Sequence, residues 1–136
     1  MAGSRIVLDS GALSALAARD GRVVAILRKA IEEKSEIAVP TVVIAESTTG
    51  TPRDAPTNAV LRALASVVVP LSEPLARVAG ALRYRARRSG ADTADAIVVA
   101  TADASRGSIV LTCDPADMRS LVAVEGKSVV LSVGGR

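Results

Sequence analysis

Six acidic side chains, Asp9, Glu46, Asp92, Asp95, Asp114 and Asp117, fall where a parallel α/β sheet usually carries its chemistry. Asp9 closes the run Ile6-Val7-Leu8-Asp9-Ser10, and Asp114 directly follows a second such run in Thr112-Cys113-Asp114-Pro115-Ala116-Asp117. Glu46 is the one acid in the apolar stretch Val42-Val43-Ile44-Ala45-Glu46-Ser47. Asp92 and Asp95 open a nearly all-apolar helical segment that runs on to Ala102, and their i, i+3 spacing lets both point the same way from its first turn. Carboxylates that converge without histidine repel one another and rise in pKa unless a cation neutralises them. An oxygen-only set suits Mg²⁺ or Mn²⁺. Such an ion can orient a water, ease its deprotonation and stabilise the leaving oxygen of a phosphodiester. The chemistry these residues point to is metal-dependent phosphodiester hydrolysis.

Some of these acids also fit a purely structural role. Asp92 with Asp95, and Asp114 with Asp117 after Pro115, match N-caps carrying an acid at the third helical position. Asp9 and Glu46 resist that reading, because a carboxylate at the end of a buried strand or inside an apolar helix needs compensating partners.

Composition narrows the choice by what is missing. The chain of 136 residues has no His, Trp or Phe, one Tyr and one Cys. Histidine-based triads, histidine-ligated zinc and imidazole acid–base chemistry are therefore excluded. With 1% aromatic residues, binding of nucleic acid by base stacking is nearly excluded too. Seventeen Lys and Arg against fourteen Asp and Glu permit a polyanionic partner without demanding one. The excess of Arg over Lys fits phosphate recognition through the guanidinium fork, and equally a coding bias that enriches Ala, Arg, Val and Gly together. Cys113 has no partner for an internal disulfide, as expected in a reducing compartment. Asp9 interrupts the apolar N-terminal stretch, no signal-peptide frame surrounds it, and no run approaches the roughly 18 apolar residues of a membrane span. A cytoplasmic location and no membrane partner are expected.

The acids must be positioned by short β-branched runs alternating with helical stretches, the pattern of an α/β protein with a parallel sheet. Strands are expected at Arg5 to Leu8, Ile37 to Val39, Val67 to Val69, Ser108 to Thr112 and Ser128 to Leu131. Helices are expected to start near Gly11, Arg22, Thr41, Thr57, Glu73, Thr93 and Pro115, with residues 50 to 56 as a loop. If the strand order is 3-2-1-4-5, the first and fourth strands flank a switch point and their terminal acids face one crevice. In the helix from Glu73 to Ser89, helical spacing puts Leu75, Val78, Ala79, Leu82 and Ala86 on a core stripe and Tyr84 outward. Arg83, Arg85, Arg87 and Arg88 form a basic cluster beside that stripe, read as contacts to RNA phosphates, to an acidic partner segment, or as a solvated face.

Four stretches in this order, Ile6-Val7-Leu8-Asp9-Ser10-Gly11-Ala12-Leu13, Val43-Ile44-Ala45-Glu46, Thr93 to Ala102 and Val110 to Asp117, resemble a PIN domain, and more narrowly the VapC-type ribonuclease toxins of type II toxin–antitoxin pairs. The resemblance spans Arg5 to about Leu131. It implies one PIN-like domain over residues 1–136, a three-layer α/β/α with a five-stranded parallel sheet in the order 3-2-1-4-5 and about seven helices. It also implies a Mg²⁺- or Mn²⁺-dependent endoribonuclease, an RNA substrate, a homodimer and a cognate antitoxin. On this resemblance Asp9, Glu46, Asp95 and Asp114 are the catalytic, metal-binding acids. Asp92 and Asp117 are supporting acids, and Ser10 and Thr112 supporting hydroxyls. Met118 departs from the family, where many relatives carry Phe or Leu, and is read as a packing change. The alternatives are a non-toxin PIN nuclease in RNA processing and a non-enzymatic receiver-like domain. A receiver would need an acid after the third strand, where Val69 is followed by Pro70-Leu71-Ser72, and a Lys after the fifth, whereas Lys127 precedes it.

Overall fold

The computed structural model describes residues 4–64, 66–105, 107–125 and 128–133. Five strands, β1 (Arg5–Leu8), β2 (Glu36–Pro40), β3 (Val67–Val69), β4 (Ile109–Thr112) and β5 (Val129–Ser132), form one sheet in the order β3-β2-β1-β4-β5. Every pairing is parallel, with Val7 of β1 opposite Ala38 on one side and Val110 on the other. Successive strand residues point to opposite faces, and Ile6, Val7 and Leu8 are all buried, so helices cover both faces of the centre. This is the expected three-layer α/β/α arrangement. Lys127 lies outside the described residues.

The helices are α1 (Ser10–Ala17), α2 (Gly21–Glu32), α3 (Thr41–Ser47), α4 (Ala55–Ala63), α5 (Glu73–Arg85), α6 (Thr93–Asp103) and α7 (Pro115–Glu125). In α2 the stripe Val23, Leu27 and Ala30 is buried, and its opposite face carries exposed Arg28 and Lys29. The α6 run from Ala96 to Ala102 is buried without interruption, so this helix sits inside the fold and reaches the surface at its two ends. Met118 is buried in the core, consistent with a packing role. Among the described residues no helix is long and apolar enough to cross a membrane.

Three local expectations are corrected. Val78 is 49% exposed, although helical spacing put it on the core stripe of α5. Only Ala79, Leu82 and Ala86 are buried there, because a surface groove opens between α5 and α6 and Val78 stands on its wall. That helix also ends at Arg85 rather than Ser89, since Ala86 leaves helical geometry and the Ser89 hydroxyl donates to the Ala86 carbonyl. Within the expected loop, Pro52–Asp54 forms a 3₁₀ turn. The buried Asp54 carboxylate accepts from the Thr49 and Gly50 amides and fastens that turn, with Gly50 at φ 72° where a side chain would be strained.

Candidate active site

The chain leaves β1 toward β2 and β3 on one side, and β4 and β5 occupy the other, so the carboxyl ends of β1 and β4 bound the switch point of the sheet. Asp9 follows β1, Thr112 ends β4, and Asp114 precedes the first residue of α7. Glu46 lies near the end of α3, the helix that follows β2 directly. Asp92 caps α6, and Asp95 completes a reciprocal capping box with it, each side chain accepting from the other's backbone amide at 2.9 and 3.1 Å. The structural role read for this pair in the sequence is therefore present, on a turn that also faces the other acids.

Asp9 holds the centre of the site. It is 7% exposed and caps α1, with Oδ1 accepting from the Ala12 amide at 2.8 Å. The Thr112 hydroxyl donates to Asp9 Oδ2 and in turn accepts from the Asp114 amide at 2.8 Å. One hydroxyl thus sets the Asp9 rotamer and the entry of the β4–α7 loop together. Close backbone approach supports it, because a Cβ on Gly11 would stand 3.0 Å from the Cys113 Cβ. Replacing Thr112 with Val leaves the buried Asp9 carboxylate and the part-buried Asp114 amide without their partner. The expected cost is about 1–3 kcal/mol of stability, read as a lower urea midpoint at unchanged slope.

The electrostatics tie these acids into one cluster. Burial pushes the Asp9 carboxyl above its ordinary value and the charge of Asp114 adds to the rise, against the lowering pull of Thr112 and the Ala12 and Gly11 amides. Glu46 is raised by burial and by the charges of Asp92 and Asp9, while the Ser10 hydroxyl bonded to it pulls the other way. Asp95 is pushed up to about 6, chiefly by burial, with the charges of Asp92 and Asp117 contributing. Asp117 is raised by partial burial and by Asp114, with which its side chain is hydrogen-bonded. Burial and the charges of Asp9 and Asp20 also raise the exposed Cys113 thiol.

The six acids are thus linked in a chain of pairwise charge interactions, each felt by at least one of the others, with Ser10 on Glu46 and Thr112 on Asp9. Glu46 differs from expectation in its exposure. Its helix has seven residues, and its next-to-last position opens to the crevice rather than lying in the core. Among the described residues no three acid or thiol side chains stand close enough to enclose an ion unaided. The donor set is nonetheless all oxygen and uncompensated by any nearby cation in these interactions. That fits a strongly hydrated ion such as Mg²⁺, which keeps several waters and takes one or two carboxylates directly. Arg83, Arg85, Arg87 and Arg88 are all exposed around the end of α5, on the Asp92 side of the site. Asp9 as a helix cap was missed in the sequence, where α1 was expected to start near Gly11.

Known structures share this architecture. VapBC2 from Rickettsia felis, solved bound to a DNA fragment from their promoter, superposes with a TM-score of 0.74 at 12% identity over 95% of this chain and 98% of that one. FitAB bound to an IR36 DNA fragment gives 0.68 at 22% identity over 93% of this chain and 94% of that one. FitAcB from Neisseria gonorrhoeae gives 0.63 at 22% identity, covering 93% and 96%. No curated protein matches the chain by sequence. The model of the PIN domain matches residues 6–121, a span that takes in all six acids and excludes the receiver-like alternative. The sheet order, the acids at its switch point and this match agree, and the chain belongs to the PIN domain family.

Proposed function

We propose that this chain is the toxin of a type II toxin–antitoxin pair, a Mg²⁺- or Mn²⁺-dependent endoribonuclease that hydrolyses RNA phosphodiester bonds. PIN domains are generally nucleases. The observation that carries the reading is the cluster of carboxylates raised by burial and mutual repulsion at the β1/β4 switch point. Asp9, Glu46, Asp95 and Asp114 are the acids that would hold the ion. When bound, it supplies charge neutralisation, an activated water and stabilisation of the leaving oxygen. The chain's own hydroxyls and caps do the positioning. Thr112 fixes the face that Asp9 presents, Ser10 steadies Glu46, and the capping box holds Asp92 and Asp95 at the mouth of the crevice. Asp117 adds a further negative charge beside Asp114. The fold likeness to VapBC2 and FitAB supports an antitoxin partner, and a homodimer is what the motif resemblance to VapC-type toxins implies.

The test is incubation of the purified protein with single-stranded RNA in Mg²⁺, in Mn²⁺ and in excess EDTA, with 5′ ends mapped by sequencing. Internal cleavage that EDTA abolishes is expected, together with growth arrest on induced expression. Undiminished cleavage in EDTA, or none with either metal, overturns the reading.

A further inference from the structure

The acidic crevice cannot by itself attract a polyanion, so an RNA must be gripped by something next to it. A depression of about 410 Å³ adjoins the site, lined by Arg83, Tyr84, Arg87, Ala91, Asp92 and Thr93. Asp92 belongs to both, since it caps α6 and its charge acts on Glu46, Asp95 and Asp117. Tyr84 is the chain's single aromatic residue and is 65% exposed, so one stacking contact, and no more, is open to a chain whose composition nearly excludes binding by stacking. It does not lie loose on the surface. The Arg87 guanidinium sits 4.2 Å from the ring centroid, and its Nη1 donates to the Tyr84 carbonyl at 2.9 Å, so a cation covers one face and the rest of the ring meets solvent. Arg87 also borders a second depression of about 390 Å³, shared with Arg85, Arg88, Ser89 and Ser120. The two depressions share Arg87, so that from Asp92 the lining passes to a ring and then to a cluster of guanidinium and hydroxyl groups.

Resting on the ribonuclease reading, we infer that this path is the substrate track: one unpaired base stacks on Tyr84 beside the cleaved bond, and the adjoining phosphates lie against Arg83, Arg87 and Arg88. Arginine and tyrosine together supply the two contacts that single-stranded RNA offers irrespective of sequence, a charged backbone and a π face. A base in a duplex has both faces covered by its neighbours, so the track selects unpaired nucleotides. A solvated basic face needs no aromatic residue, and a phosphate grip alone would leave Tyr84 without a ligand.

The chain carries its own reporter, because with one Tyr and no Trp its intrinsic emission comes from position 84 alone. The experiment titrates the full chain, in EDTA to prevent cleavage, with a single-stranded RNA of about ten nucleotides and with an abasic ribose–phosphate strand of equal length. Cleavage in Mg²⁺ is assayed in parallel. RNA should extinguish the tyrosine emission saturably, and the abasic strand should not. By anisotropy of labelled RNA, Tyr84→Ala should weaken binding about 5- to 150-fold and Tyr84→Phe by less than about twofold. Arg87→Ala should lower the slope of log affinity against log salt by about 0.7. RNA cleaved in Mg²⁺ with tyrosine emission unmoved and Tyr84→Ala binding as wild type overturns the track and leaves the ribonuclease standing. Equal quenching by the abasic strand, or by an acidic peptide of the same charge, overturns it in favour of a plain anion site or a protein partner. No cleavage by the wild type removes the ribonuclease reading and the track with it.

Discussion

Asp9→Asn should lower Mg²⁺-dependent RNA cleavage by about 10³-fold, the several kcal/mol that a correctly held ion contributes to the transition state, while making the metal-free protein more stable. The two effects have separate origins. Asn is as good an N-cap as Asp, so its oxygen can keep the bond from the Ala12 amide and α1 keeps its start. Its amide can face the Thr112 hydroxyl, which has lone pairs for it as well as for the Asp114 amide. What disappears is a buried negative charge beside Asp114, whose removal relieves desolvation and repulsion. Initial rates on a labelled RNA and thermal melts in EDTA check both halves. A variant within tenfold of wild type in rate would remove Asp9 from the metal site, and a large drop in melting temperature would mean that its charge serves the fold.

Without metal, the protein should lose stability as the pH rises from about 4 to 6, and Mg²⁺ should restore it at neutral pH. The acids of the crevice set the sign. A carboxyl whose folded pKa exceeds its unfolded value binds its proton more tightly in the native state. Its favourable contribution is complete below the unfolded value and gone once the pH passes the folded one. For Asp95 the window runs from 3.8 to about 6, and Asp9, Glu46 and Asp117 shift in the same direction. With allowance for solvent screening at a half-buried group, Asp95 alone is worth about 1 kcal/mol, or about 3–5 °C in melting temperature for a domain of this size. Asp54 works the other way, since the Thr49 amide lowers its pKa and its contribution is lost as the pH falls below 3.8. The measurement therefore belongs above that value. Metal at a hundredfold excess over its Kd should return about 2.7 kcal/mol. Melts in EDTA that rise steadily from pH 4 to 7, or that Mg²⁺ leaves unmoved, would contradict the clustering of these acids.

The strands and helices were legible because buried parallel strands are short β-branched runs, and because α6 is apolar almost throughout. Boundaries moved by a residue or two where pairing with a neighbour decides them, as at β2, which extends to Glu36 and Pro40 by pairing with β1 and β3. The exposure of Val78 was not legible. The width of a buried helical stripe depends on how the neighbouring helix is seated, and a surface groove opens between α5 and α6 at Val78. Glu46 illustrates the same limit, since an acid among apolar residues reads as buried until the end of its short helix is known. Which acids share a crevice depended on the strand order, which patterning alone leaves conditional. The role of Thr112 rested on its register at the end of β4, opposite β1, and no local signal in the sequence carries that.

The bond from Thr112 to Asp9 joins residues 103 positions apart in the chain. During synthesis Asp9 leaves the ribosome early, while its partner is made about 5–20 s later at ordinary elongation rates. Until then the end of β1 lacks both the β4 strand that pairs with it and the hydroxyl that orients its carboxylate. On the proposed nuclease reading, an activity that depends on the Asp9 carboxylate would therefore stay silent on the nascent chain until β4 has been made and has paired with β1.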